Sequence, residues 1–239
     1  MSEQPERIGA RAPARVPGDP SRLLDVAALR QFVGAPHAVA ILEGAVERAI
    51  AAGRVLPHVL IMGADDCGKQ VLARALARDA LQDAVEVDAA WVRDAAHMAR
   101  ILRALDDGSA LLLRRADALR PAALRMLVSR FGMRTLPREA DRGAPIADCT
   151  LIATTDAAMP RGSKRSRYEA LARLCPVHVT LPVPCPAARA TAALRGAVAL
   201  GRRSTPELRT LAAQAVSCWS GPGKQPDPAE IAQLLAADA

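Results

Sequence analysis

The sequence predicts an α/β fold: a five-stranded parallel sheet covered by helices on both faces, followed by a small all-helical domain. Three observations carry this expectation. Five short apolar runs recur along the chain, separated by stretches whose apolar residues fall at helical spacing. The runs are continuously apolar rather than alternating, as in strands buried on both faces. After Pro182 the strand-like runs stop and only helical patterns follow.

Residues 1–20 carry four prolines and no apolar period, and are expected to form a disordered tail. From Ala38 to Gly53, Ile41, Leu42, Ala45, Val46, Ala49 and Ile50 mark a helix that Gly53 can end. Val59–Met62 is the first strand, and Lys69–Ala80 the helix after it. Val85–Val87 is a second strand, with a helix from Trp91 to Leu105. Ala110–Leu113 is the third, followed by a helix over Pro121–Phe131. Thr150–Ala153 and Val177–Leu181 complete the sheet. The sheet domain therefore spans about residues 21–182. Pro182, Pro184 and Pro186 form a linker. Helices at Ala187–Leu200, Pro206–Val216 and Pro228–Ala237 make a second domain over 187–239. Two of these starts are signalled by cap patterns, Ser204 with Glu207 and Asp227 with Pro228 and Glu230.

Composition narrows the function classes. Of 239 residues, 51% are apolar and 24% charged, the balance of a chain able to bury a core. No apolar run reaches the length of a membrane span, so no membrane partner is expected. Phe32, Trp91, Phe131, Tyr168 and Trp219 are the whole aromatic set, which argues against a nucleic-acid reader built on aromatic stacking, such as an RNA-recognition sheet. The net charge of +7 falls entirely in residues 121–239, which hold 16 basic and 9 acidic side chains against 16 and 16 before them. A solvated Arg-rich surface and contact with an acidic partner or DNA both account for that. Cys67, Cys149, Cys175, Cys185 and Cys218 are widely spaced with no C-x-x-C pair, and residues 1–20 lack a secretory h-region. Reduced thiols and a cytoplasmic setting are expected. His37, His58, His97 and His178 show no i, i+3 or i, i+4 pairing, and no metal site is expected.

The first strand runs into Gly63-Ala64-Asp65-Asp66-Cys67-Gly68-Lys69-Gln70 and then a helix. Gly63, Gly68 and Lys69 match the phosphate-loop pattern G-x-x-x-x-G-K-[ST]; Gln70 does not. Such a loop cradles phosphate with backbone N–H groups and a helix N-terminus, while the following hydroxyl ligates Mg²⁺. Gln70 supplies only an amide oxygen, and Asp65 and Asp66 place like charge where polyphosphate would lie.

In this context the chain resembles the AAA+ ATPases, specifically the core of RuvB-type branch-migration motors. The resemblance rests on Phe32-Val33-Gly34, Pro57–Gly63 with Gly68-Lys69 and Leu72-Ala73, Gly108–Leu113 and Thr150–Thr155, in matching order and spacing over about residues 25–235. It implies a P-loop NTPase fold with a helical lid. It also implies an ATPase linked to DNA recombination or repair, working in a ring. The family's carboxylate pair at the end of the third strand corresponds here to Arg114-Arg115, which can neither ligate Mg²⁺ nor act as a base. The sensor-one position resembles Thr154 or Thr155. The finger position falls on Leu171, with Arg173 beside it. The sensor-two position falls on Lys224, where the family has Arg.

These departures lead to the expectation of a pseudo-ATPase that acts as a subunit, adaptor or regulator by protein contact, with no catalytic residues and no required cofactor. If ATP or ADP binds, Gly63, Gly68, Lys69, Gln70, Thr154 and Lys224 are the residues expected to hold it. Asp65 and Asp66 could instead pair with Arg114 and Arg115 and plug the site; the alternative is that all four face solvent. Arg161, Lys164, Arg165 and Arg167 form a basic stretch, read either as a solvated loop or as a contact for DNA or an acidic partner. The partner expected is a protein, either an AAA+ ring or a second copy of the chain. Two other functions stay open: a working branch-migration or remodelling ATPase, and a plain basic DNA-binding module.

Overall fold

The computed structural model describes residues 6–8, 24–80, 83–133, 148–156, 163–218 and 228–237. Six strands form one sheet: β1 (Glu6–Ile8), β2 (Val59–Gly63), β3 (Ala84–Asp88), β4 (Ala110–Arg114), β5 (Thr150–Thr155) and β6 (Val177–Leu181). The spatial order is β1-β3-β4-β5-β2-β6. The five strands read from the sequence are parallel, with Val59 opposite both Ile152 and Val177, and Ala110 opposite both Ala84 and Thr150. The sixth corrects the expected tail: Glu6–Ile8 pairs antiparallel with β3, placing Arg7 opposite Val85. Three residues are too few to show a period, and the free edge of β3 supplies the template.

The two faces separate by side-chain alternation, as parallel strands buried on both sides require. Val59, Ile61, Leu112, Ile152 and Val179 pack under α1 (Pro36–Ala51) and α2 (Lys69–Ala80), against Leu42, Leu72 and Leu76. Leu60, Leu111, Leu113, Leu151 and Ala153 pack under α3 (Ala95–Arg103), α4 (Pro121–Met133) and α5 (Ser163–Leu174), against Met98, Leu102, Leu127 and Leu171. Most helix bounds lie within two residues of the pattern. α3 begins four residues later than expected. A 3-10 turn, Ala89–Trp91, comes first, and Asp94 then caps α3 by accepting from the His97 N–H at 2.7 Å.

The last three helices, α6 (Pro186–Ala199), α7 (Pro206–Cys218) and α8 (Pro228–Ala237), pack around a core of Ala193, Ala197, Leu208, Ala212, Val216, Ile231 and Leu235. The cap of α7 is Thr205 rather than Ser204. Its Oγ1 accepts from the Leu208 N–H at 3.2 Å, and it also helps hold Glu207 below the usual carboxylate range. Asp227 lies outside the described residues. Among the described residues, no helix is long and apolar enough to cross a membrane.

One ionic group is built into the sheet. Arg74 on α2 is 1% exposed. It donates to Glu86 of β3 through Nε at 3.0 Å and Nη2 at 2.9 Å, and to Asp25 through Nη1 at 3.2 Å. Arg78 reaches the same Asp25 at 2.6 Å. Replacing Arg74 with Ala is expected to lower the unfolding free energy in urea by about 3–5 kcal/mol, because Glu86 keeps its buried charge without its principal partner. Arg74→Met with Glu86→Leu is expected to recover most of that loss.

Candidate functional site

The phosphate-like loop joins β2 to α2 at the carboxyl edge of the sheet, the edge where parallel α/β folds place their sites. Asp66 has φ 60° and Gly68 φ 86°, so the loop keeps its two left-handed turns. Asp tolerates that conformation better than most non-glycine residues. Gly68 also needs its missing side chain, since a Cβ would lie 3.0 Å from the Phe32 ring. Gly63 is held by space alone: a Cβ there would meet Cys67 Sγ at 2.3 Å. The loop's course is thus set by backbone conformation and by the space at its glycines.

Lys69 donates its Nζ protons to the Gly63 carbonyl, to the Ala64 carbonyl at 2.7 Å and to Asp156 Oδ1 at 3.2 Å. Asp156 follows β5 directly, and Met62↔Thr155 pairing sets the two strand ends side by side. Gln70, half-buried at the start of α2, stands where Mg²⁺ would take a hydroxyl.

Arg114 ends β4, and Arg115 follows with φ 50°. The structure corrects the plug. Neither arginine pairs with the loop. Arg114 Nη1 lies 3.4 Å from Glu86 Oε1, and Arg115 donates to Asp88 through Nε at 3.1 Å and Nη2 at 2.6 Å. Asp65 and Asp66 are exposed. The cause is register: Asp88 stands opposite Arg114, one strand away, while the loop lies beyond the intervening β5. Asp88 holds the Arg115 guanidinium above its ordinary pKa, chiefly through that hydrogen bond. Two cations and no carboxylate at the end of β4 do not fit a divalent ion, which takes oxygen ligands.

The two threonines are both buried and both engaged. Thr154 Oγ1 accepts from the Arg115 N–H at 3.3 Å, and Thr155 Oγ1 lies 3.3 Å from Asp117 Oδ1. Asp117 comes back toward the site because the left-handed Arg115 starts a 3-10 turn at Ala116–Ala118. Leu171 is core, and Arg173 is exposed on α5. The basic stretch is divided. Arg167 lies on α5, half-buried, and donates to the Leu119 carbonyl at 3.1 Å and, more weakly, to that of Asp117 at 3.4 Å, so it fixes the turn after β4 rather than facing a ligand. Arg161, the side chains of Lys164 and Arg165, and all of Lys224 lie outside the described residues.

Sequence reasoning missed Glu86, Asp88 and Asp156. Glu86 and Asp88 had a signal: two acids at i, i+2 on one face of an otherwise apolar strand. Between the loop and α6, a cavity of about 60 Å³ is lined by Phe32, Asp66, Cys67, Gly68, Arg189 and Arg195. That is small beside the roughly 300–1,000 Å³ of small-molecule pockets. A larger cavity of about 420 Å³, lined by Ile50, Leu56, Asp83, Asp106 and Asp107 among others, sits at the opposite end of the sheet and takes no part in this site. Among the described residues no cluster of three or more His, Cys, Asp or Glu could hold a metal.

No family model matches the chain. It is 27% identical over 181 residues to the Holliday junction branch migration complex subunit RuvB of Koribacter versatilis, covering 72% of this chain and 50% of that one. Among solved structures, a single-residue variant of Thermotoga maritima RuvB superposes with a TM-score of 0.66 at 22% identity, over 89% of this chain and 64% of that one. NtrX from Brucella abortus in complex with ATP gives 0.58 at 17%, over 87% and 53%. The chain spans about half the length of its curated relative. Its sheet and helices have the fold of that RuvB structure.

Burial raises three thiols. Cys175 is pushed up to about 12 and Cys149 up to about 11. Cys67 is also raised, mainly by burial, with Lys69 pulling the other way. The folded chain therefore holds these protons more tightly than the unfolded chain. The stability they contribute is complete below the unfolded thiol pKa of about 8.5 and falls as pH climbs toward 11–12. Urea midpoints are expected to decline between about pH 8.5 and pH 11. At about pH 8, a disulfide reagent is expected to label exposed Cys185 quickly and these three thiols only on unfolding.

Proposed function

We propose that this chain is a degenerate RuvB-like AAA+ protein, a pseudo-ATPase that acts by protein contact as a subunit, adaptor or regulator in DNA recombination or repair. One observation carries the reading: Arg114 and Arg115 end β4, paired with Glu86 and Asp88 of the neighbouring strand. Hydrolysis in this fold needs an oxygen ligand for the metal and a carboxylate to orient water at that strand end. Arg remains protonated throughout the physiological range and offers no acceptor. Removing either role commonly lowers turnover by about 10²–10⁴.

Other features support the same reading. Lys69 already has three acceptors within its own loop and at Asp156. A triphosphate would have to displace Asp156 and then lie beside Asp65 and Asp66. What such a fold keeps without turnover is its shape, and a partner that recognises the core and lid can still bind it.

Calorimetric titration with ATP and ADP, with and without Mg²⁺, tests this directly. The expected result is no heat in the micromolar range, no gain from Mg²⁺ and no phosphate release above background. Micromolar Mg-ATP binding with turnover would return the protein to the working motors.

A further inference from the structure

Trp91 is 60% exposed, although this chain has few aromatics and an indole stabilises a fold by being buried. It ends the 3-10 turn that follows β3. Guanidinium groups surround that turn. Arg120 donates Nη1 to the Arg93 carbonyl at 2.9 Å, Arg115 is bound to Asp88, and Arg93 and Arg120 are both exposed. α3 and α4 run side by side from this end of the sheet. The exposed face of α3 is Ala96, Arg100 and Arg103, at i, i+4 and i+7, and α4 exposes Pro121 and Arg125. Neither helix contains an Asp or Glu. Asp94, which caps α3, is the single acid in residues 89–105 and 118–133 together. Among the described residues of this turn and these two helices, five exposed arginines and one unburied indole stand with Asp94 and with the Asp88 that Arg115 holds.

We propose that this face binds single-stranded nucleic acid, with a base stacked on Trp91 and the backbone phosphates on Arg93, Arg100, Arg103, Arg120 and Arg125. Guanidinium forks match phosphate oxygens bidentately. The indole selects among polyanions. An acidic peptide would satisfy the arginines and leave Trp91 without a flat partner. A duplex keeps its bases stacked on each other. An unpaired strand offers both a phosphate track and free π-faces. The proposal goes beyond the pseudo-ATPase reading and stands on different residues. Its test contains no nucleotide cofactor, so either idea can fail without the other.

Changing Trp219 to Phe leaves Trp91 as the sole tryptophan of the full chain. Titration with an oligodeoxythymidylate is expected to quench its fluorescence. Affinity is expected to fall with salt, with a log–log slope of about −0.7 for each phosphate contacted. By anisotropy of a labelled strand, Trp91→Ala should weaken binding roughly fivefold to a hundredfold, the range that one stacked base supplies. Trp91→Phe should retain most of it. Arg100→Ala and Arg125→Ala should each make the salt slope shallower by about 0.7. Trp91, Arg100 and Arg125 are exposed, and circular dichroism checks that all the variants fold. Four results would each overturn the proposal: no binding, binding without quenching, affinity indifferent to Trp91→Ala, or equal affinity for duplex or polyglutamate.

Discussion

The register between β3 and β4 is the constraint on which the candidate site depends. It sets Glu86 opposite Leu112 and Asp88 opposite Arg114. Arg74, buried under this edge, and the half-buried Arg114 need carboxylates within reach, because an uncompensated buried charge is costly to desolvate. The adjacent strand supplies them. Glu86 serves Arg74 and Arg114 together, and Asp88 accepts from Arg115 and from the Ala90 N–H. The pairing has two depths. Arg74–Glu86 is sealed, whereas Arg115 is 56% exposed on its side chain. An exposed pair adds little stability, so Arg74–Glu86 holds the sheet edge and Arg115–Asp88 mainly fixes where a charge points.

The loop and the strand end show how shape and chemistry separate. The loop's course is set by backbone preferences at Asp66 and Gly68 and by the space that Gly63 leaves for Cys67. None of these depends on a bound phosphate. Catalytic chemistry depends on side-chain termini, and those at Gln70, Arg114 and Arg115 have changed. The proposed pseudo-ATPase reading rests on this separation, since a loop's backbone course and its side-chain donor set are fixed by different residues.

The fold was legible in the sequence because its signals are local. Continuous apolar runs ended by Gly63 or Pro182, and helical spacing after Lys69 and Pro121, need no knowledge of neighbours. Where reading failed, the deciding information was non-local or too short. β1 is three residues on a borrowed edge. Asp117 returns to the site because Arg115 adopts a left-handed conformation, which no propensity scale assigns to arginine. Loop and strand both contain charged pairs, and that is the whole of what the sequence offers for a plug between them. The true partners lay on a strand neighbour that only the sheet order reveals. Acids on an otherwise apolar strand need cations, which makes Arg74 and the two arginines at the end of β4 the natural partners of Glu86 and Asp88.

A charge count along the chain does not show where, among the described residues, arginines stand free of neighbouring acids. Residues 1–120 balance to zero in sequence, yet their acids are not evenly placed in space. Asp25, Glu86 and Asp88 are taken by Arg74, Arg78, Arg114 and Arg115, and Asp79 accepts from the Leu29 N–H. Asp83, Asp106 and Asp107 gather around the cavity at the amino ends of the strands. Among the described residues, the outer side of α3 and α4 is left with arginines and the aspartate that caps α3. Electrostatic attraction acts over about 8–10 Å in physiological salt, so a partner senses this local excess rather than the sum over the half-chain. Conversely, Arg167, prominent in the densest basic run of the sequence, is tied to backbone carbonyls on the turn after β4. Which arginines can meet a ligand is decided by which carboxylates and carbonyls the fold brings to the others.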